Sequence, residues 1–459
     1  MLSSASDLAR LFGGTLEGRG DRSAALRDIT TDSREVVPGG SFVAVAGERE
    51  DGHSYVADAL SRGASLVVVR GDFGAPDDTA DVLTLRVDDT ATALRAACTR
   101  RLIELGCDVV AITGSAGKTT VKEMCAAAMS RLRVAKTPGN LNTWTGIPLS
   151  VLRMEPPVDH FVAEVAMSAP GEIRTLAEML RPRVGVLLNI GLAHVGLLGS
   201  INAIAAAKAE LIESLDAGGV AVCNAEDSRV RDIALRSPAP VEWFGLRHPD
   251  ALFRASDIEI DGLRGTRCVL HGPDGSAQLR LRTLGEHAVL DACAAAAVAA
   301  QFGVGVAEVA ERLGDAAAPE QRGALLAGAH GAVIYDDSYN SSPASLRAAL
   351  DVLATSGMPR RIAVIGDMLE LGDHAPAEHR EAGQRIARSA THLVAIGEYA
   401  RDMADAAVAA GMPPGSVNVA ADIDDATERA LELCAPDTAV LVKASHGLHL
   451  ERIVERLRA

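Results

Sequence analysis

The stretch Val109-Val110-Ala111-Ile112-Thr113-Gly114-Ser115-Ala116-Gly117-Lys118-Thr119-Thr120 constrains this chain more than any other. Its apolar, mostly β-branched opening predicts a strand buried on both faces, and such strands belong to parallel sheets covered by helices. The glycines that follow let backbone amides converge on one anion. A helix opening at Lys118 adds roughly half a positive charge at its N-terminus. Lys118 can reach terminal phosphates, and the Thr119 hydroxyl can coordinate Mg2+. The long form of this motif has glycine where this chain has Ile112, so the pattern here is the shorter G-x-x-G-K-T-T. A bare G-K-T can be a structural turn before a surface lysine, but a strand before it and a helix after it argue otherwise. The stretch predicts a nucleoside triphosphate site, with Gly114, Ser115, Ala116, Gly117, Lys118, Thr119 and Thr120 around the phosphates.

Phosphoryl transfer needs a divalent cation on oxygen ligands, so carboxylates at strand ends become candidates. Glu164 ends the apolar run Phe161–Val165 and reads as a ligand or as a buried group paired with a base. His194 follows the run Val184–Ile190; Mg2+ prefers oxygen, so spacing alone makes it a capping or structural histidine. Lys208, in the helical run Ile204–Ile212, is by default a solvated lysine.

The rest of the chain bounds the classes of function. At 459 residues it is too long for one core, and roughly 150 residues per domain predicts about three domains. Lys and Arg total 45 against 61 Asp and Glu, a net charge of −16 that argues against a general nucleic-acid binder. Aromatic residues are 3%, too few for stacking platforms on single strands. The first residues lack a basic segment followed by an apolar one, and no apolar run approaches the ~20 residues of a membrane helix, so a cytoplasmic location is expected. The seven cysteines are scattered without a C-x-x-C pair and read as reduced, buried thiols.

Strand-then-helix units repeat along the chain and predict an α/β protein of three domains. Residues 1–87 carry strands at Phe42–Ala46 and Leu66–Val69 with a helix near Ser54–Arg62, and a polar break spans Gly71–Asp81. Residues 88–321 carry strands at Val109–Ile112, Phe161–Val165, Val184–Ile190 and Gly219–Cys223, which predicts a parallel sheet covered on both faces. The Ala-rich run Ala292–Ala300 reads as a tightly packed helix. After a break at Ala316–Arg322, residues 322–459 carry strands at Ala332–Tyr335, Arg361–Ile365, His392–Ile396 and Ala439–Val442, a smaller doubly wound domain.

From Thr31 to Arg452 the sequence resembles the Mur ligase family of bacterial peptidoglycan synthesis. The resemblance rests on Thr31-Asp32-Ser33-Arg34, Pro38-Gly39 and Gly47-Glu48-Arg49, then the short phosphate loop and Thr137-Pro138-Gly139-Asn140-Leu141-Asn142. It continues through Glu164, His194 with Gly196, Ala207-Lys208-Ala209-Glu210-Leu211, Arg322-Gly323, Asp336-Asp337-Ser338-Tyr339-Asn340 and Gly366-Asp367-Met368-Leu369-Glu370-Leu371-Gly372. The last two runs together mark the branch that adds a dipeptide. The resemblance implies a central ATPase domain between an N-terminal uridine-nucleotide domain and a C-terminal Rossmann-like domain. The implied reaction joins D-alanyl-D-alanine to UDP-N-acetylmuramoyl-tripeptide with ATP and Mg2+, in a protein expected to be a monomer. It also implies roles: Glu164 and His194 as metal ligands beside Thr119, Lys208 as a carbamylated lysine, Arg322 on the ATP phosphates and Asp337 on the ribose. Thr31, Ser33 and Arg34 would meet the uridine nucleotide, while Asn140 and Asn142 would face the sugar nucleotide or a second ion, or simply make a turn. Tyr339 and Asn340 would border the substrate.

Several positions depart from the family pattern. Gly285-Glu286-His287-Ala288-Val289-Leu290-Asp291 lacks both asparagines of G-x-H-N-x-x-N, which would face adenine. Two lost neutral hydrogen bonds, each worth roughly 0.5–1.5 kcal/mol, would weaken ATP some tenfold to a hundredfold. Ala166 stands for a glycine, Glu50 for an aromatic near the uracil pocket, and Lys443-Ala444-Ser445-His446 for K-G-S-R. A titratable His446 in place of an arginine would hold a dipeptide carboxylate less firmly. Competing readings are a sibling ligase adding one amino acid, a folate polyglutamylating ligase, which the Thr31–Arg34 region argues against, and a non-catalytic nucleotide-binding scaffold.

Overall fold

The structure, a computed structural model, describes residues 4–47, 50–74 and 82–458. Glu48 and Arg49 of the Gly47-Glu48-Arg49 motif, the first three residues and part of the Gly71–Asp81 break lie outside the described residues.

Three sheets divide the chain. The first runs Thr15–Glu17, Leu83–Val87, Leu66–Arg70, Ser41–Val43, Ile29–Thr30, parallel except for its first strand. Leu66–Val69 is wholly buried, as a strand covered on both faces must be. The helix expected at Ser54–Arg62 is a 3-10 turn, Gly52–Tyr55, running into a short helix, Val56–Ser61. The helix Thr90–Leu105 follows the last strand of this sheet, and its Ala93, Leu94 and Ala97 complete the same core together with Leu149 and Leu152. Arg153 fastens the same junction by donating to the Asp28 carboxylate at 2.7 Å and to the Ile29 carbonyl at 2.8 Å.

The central sheet has nine strands in the order Gly275–Leu281, Thr266–Gly272, Phe253–Ile260, Val241–Gly245, Val220–Asn224, Val184–Leu187, Asp108–Thr113, His160–Glu164, Val134–Lys136. The four expected strands are parallel, and Val134–Lys136, Val241–Gly245 and Phe253–Ile260 join them in parallel. The last two in chain order are antiparallel, so the sheet is mixed rather than parallel throughout. Those strands alternate buried and exposed residues, the pattern of a hairpin with one face in water. The Ala-rich segment lies within the helix Glu286–Ala300, buried nearly all round, where small side chains allow close approach to the sheet and to the helix Lys118–Ala128.

In the third sheet the order is Ala324–Ala327, Val333–Asp336, Thr438–Lys443, Arg360–Ile365, His392–Ala395, Val417–Val419, parallel except for the first. Thr438–Lys443 enters between two strands that precede it in the chain. The loops after Asp336, Ile365 and Lys443 therefore emerge side by side. No helix among the described residues is long and apolar enough to cross a membrane.

Candidate active site

Asp108–Thr113 lies between Val184–Leu187 and His160–Glu164, where the chain changes direction across the sheet. Loops leaving such a switch point open a crevice at the carboxyl ends of the strands. The loop 114–117 fills it and leads into the helix Lys118–Ala128. Gly117 has φ +85°, which a residue with a side chain rarely adopts. Asn189, at the end of the neighbouring strand, clamps the loop from below: its Oδ1 accepts from Ala116 N at 2.9 Å and its Nδ2 donates to Ala116 O at 3.1 Å. The Ser115 amide donates to the Asn189 carbonyl, and Gly191 N donates to Ser115 Oγ at 2.9 Å.

The residues expected around the phosphates converge. Thr119 Oγ1 donates to Glu164 Oε2 at 2.6 Å, and Asn142 Nδ2 donates to Glu164 Oε1 at 2.9 Å. Burial pushes the Glu164 carboxyl up, but the Lys118 charge and the Thr119 and Asn142 hydrogen bonds outweigh it. The net shift is below the ordinary carboxylate range, so the group stands ionised. Lys118 and Lys208 both donate to the Gly114 carbonyl, each at 3.0 Å. Lys208 is 1% exposed; burial and then the Lys118 charge hold its amine well below the usual lysine range. It is thus a buried lysine and not a solvated one. Lys118 is also lowered, by enclosure opposed by Glu164.

Across the crevice, the Arg322 guanidinium carbon sits 3.9 Å from the Tyr339 ring centroid, and Tyr339 stacks on His446 at 5.1 Å. The Arg322 charge reaches both Lys118 and Glu164. Lys443, 2% exposed at the end of its strand, donates to Asp337 Oδ2 at 2.5 Å and to the Asn340 carbonyl at 2.9 Å. Asp337, Tyr339, Asn340 and His446 thus share one wall, because three strand ends are adjacent. His194 Nδ1 meets Glu370 of that wall rather than Glu164, and this bond holds the Glu370 carboxyl below its ordinary range.

The helix Glu286–Ala300 brings the departing residues to the same place. Ala288 is buried, and a Cβ on Gly117 would lie 3.0 Å from Asp291 Oδ1. Burial pushes the Asp291 carboxyl well up, which favours the neutral acid beside a loop suited to anions. The N-terminal candidates stand apart from this cluster. Ser33 is buried, whereas the exposed Arg34 folds onto Asp32, with Nη2 2.6 Å from Oδ2. Glu50 accepts from the Tyr55 hydroxyl at 2.9 Å. Asn140 is exposed and Asn142 lies at the cluster.

Sequence reading missed four supports: Asn189, Lys122, Lys443 as the partner of Asp337, and Glu370 as the partner of His194. Lys122 is wholly buried and donates to Thr137 O at 2.8 Å and Gly139 O at 2.9 Å, fixing the turn that carries Asn140 and Asn142. A signal existed only for Lys122, four residues after Lys118 and so on the same helix face.

Among the described residues no group of three or more His, Cys, Asp or Glu side chains could hold a metal ion by itself. The hydroxyl of Thr119 and the carboxylate of Glu164 are hard oxygen donors in mutual contact at a helix N-terminus. That set suits Mg2+, which keeps waters and takes phosphate oxygens alongside one or two protein ligands.

Comparison with known proteins shows the family and the fold. Three family models match: the Mur ligase family catalytic domain over residues 26–141, the Mur ligase middle domain over 112–299 and the Mur ligase glutamate ligase domain over 321–446. The UDP-N-acetylmuramoyl-tripeptide--D-alanyl-D-alanine ligase of Mycobacterium tuberculosis is 34% identical, over 99% of this chain and 97% of its own. A crystal structure of MurF from Acinetobacter baumannii superposes with a TM-score of 0.88 at 30% identity, covering 100% of this chain and 99% of that one. MurF ligase from Thermotoga maritima in complex with ADP gives 0.81 at 27% identity, covering 94% and 97%.

Proposed function

The chain belongs to the Mur ligase family, and from that premise we propose that it joins D-alanyl-D-alanine to UDP-N-acetylmuramoyl-tripeptide with ATP, in peptidoglycan precursor synthesis. The observation that carries this reading is the phosphate loop with Glu164 on Thr119, facing Arg322 and Tyr339 across one crevice.

A tripeptide carboxylate oxygen attacks the γ-phosphorus, the bond to ADP breaks, and an acyl phosphate forms. The dipeptide amine then attacks the acyl carbon, loses a proton, and phosphate leaves as the amide closes. Both steps bring anions together. Lys118, the Gly117 amide, the helix N-terminus that follows it and Arg322 are placed to stabilise the charge that develops. Mg2+, held by Thr119, Glu164 and His194, would supply further positive charge when bound. Lys208 is a neutral amine in this reading; addition of CO2 to its Nζ, with loss of a proton, would leave a carbamate beside Lys118. Asp337, oriented by Lys443, would take the ribose, and Tyr339 and Asn340 would border the acceptor. Thr31, Ser33 and Arg34 would bind the uridine diphosphate, which requires Arg34 to exchange Asp32 for phosphate. Asn140 and Asn142 would face the sugar nucleotide. Residues 1–87, 88–321 and 322–459 would be the three working domains, in a cytoplasmic monomer.

The test is phosphate release with ATP, the dipeptide and UDP-muramoyl tripeptides ending in meso-diaminopimelate or in lysine. Release that needs all three substrates supports the reading. ATP binding without acceptor-dependent release refutes it in favour of a scaffold.

A further inference from the structure

His194 and Glu370 are 176 residues apart and belong to facing walls of the crevice, yet the imidazole Nδ1 meets the Glu370 carboxylate. A carboxylate accepts, so with the ring neutral this contact assigns the proton to Nδ1 and leaves the lone pair on Nε2. The pairing is built into the backbone. His194 (φ +67°) and Glu370 (φ +63°) both occupy the left-handed region, where residues with side chains are strained, and such strain persists only where surroundings enforce it. Gly196 N donates to the Glu370 carbonyl at 2.7 Å. A Cβ on Gly196 would lie 2.8 Å from Gly372 N, so the two loops touch through main chain and only glycine fits.

A histidine that binds a metal through one nitrogen nearly always gives its other N–H to a carboxylate or carbonyl, and that partner sets the tautomer and the ring orientation. We propose that Glu370 is a positioning residue that holds His194 in the Nδ1–H tautomer, so that the cation affinity of the central domain depends on the C-terminal domain being docked against it. The inference rests on reading His194 as a metal ligand. It adds that the ligand is shaped by a residue of another domain. Undocking would release His194 to the Nε2–H tautomer that prevails in water, which protonates the nitrogen left free by the Glu370 contact.

The test uses the full chain with 15N-labelled histidine, read by two-bond 1H–15N correlation at a pH where the ring is neutral, His194 being assigned from its loss in His194→Gln. The Glu370 side chain is about half exposed, so its variants are expected to fold. The wild type should show the Nδ1–H pattern, Glu370→Ala the Nε2–H pattern, and Glu370→Gln, which offers a donor as well as an acceptor, a mixture of the two. Mn2+ affinity, read by electron paramagnetic resonance with a non-hydrolysable ATP analogue, should fall about 10–100-fold in Glu370→Ala and less in Glu370→Gln. An Nε2–H wild type, or a tautomer indifferent to Glu370→Ala, overturns the positioning role. A tautomer that switches while Mn2+ affinity stays constant overturns the ligand reading of His194 and the coupling with it.

Discussion

Replacing Asn189 by alanine is expected to weaken ATP binding without touching a group that contacts the reacting atoms. Asn189 makes two side-chain hydrogen bonds to one residue of the phosphate loop, accepting from Ala116 N at 2.9 Å and donating to Ala116 O at 3.1 Å. Together they hold the two peptide planes that flank the Ala116 Cα in a single orientation, and the second of these carries the Gly117 amide. A neutral hydrogen bond contributes roughly 0.5–1.5 kcal/mol net, so two contribute about 1–3 kcal/mol to loop order. Binding ATP to a loosened loop must restore that order, which corresponds to roughly a 5–150-fold rise in Kd. Water can replace part of what is lost, so the expected rise is about tenfold. Isothermal titration with ATP measures it directly, and initial rates should show KM for ATP rising with a smaller change in kcat. Asn189→Asp sharpens the test. Its carboxylate can still accept from Ala116 N but faces the Ala116 carbonyl without a donor, and adds negative charge near the phosphates. It should bind ATP more weakly than the alanine variant. Wild-type ATP affinity in both variants, in a folded protein, would refute the clamp.

Three further outcomes are expected. Lys118→Ala should lower turnover by about a hundredfold or more, because the amine stabilises charge that grows in the transition state, and near-normal ligation would remove the loop from the mechanism. Lys208→Met should abolish ligation yet raise the melting temperature at neutral pH. The native amine sits well below the usual lysine range, so the unfolded state binds the extra proton. The penalty is therefore present at neutral pH and fades as pH rises toward the ordinary lysine range, and melting curves across pH should show the variant's advantage shrink accordingly. Asp291→Asn should tighten ATP binding, with a gap that widens as pH rises through the carboxyl's raised range, since only the aspartate then turns its charge on the phosphate loop; a pH-independent difference in Kd would count against this.

Most of the central machinery was legible before any coordinates. The loop 114–120, Glu164 on an apolar strand and the strand-helix alternation are local patterns whose chemistry follows from residue type and spacing. The antiparallel extension Thr266–Leu281 was harder to read, because half-exposed strands lack the continuous apolar run that marks a buried one. Asn189 and Lys443 were invisible as site residues, and Lys122 was marked only by its helix face, because each acts through a main-chain or side-chain partner brought near only by folding. Lys208 shows the same limit from the other side: within its helix nothing in the spacing distinguishes a solvated lysine from one with 1% exposure.

The sequence by itself determined that a buried parallel strand must deliver a glycine turn and a helix N-terminus to one anion, and that an acidic chain of this length carries several domains. Local hydrogen bonding and hydrophobic periodicity suffice for that, since both act over a few residues. Only the tertiary structure decided which charges face one another. Entry of Thr438–Lys443 between two earlier strands set Lys443 against Asp337, and docking of two main-chain loops set His194 against Glu370. Electrostatic energies depend on distance through space and on burial, neither of which is written in chain order.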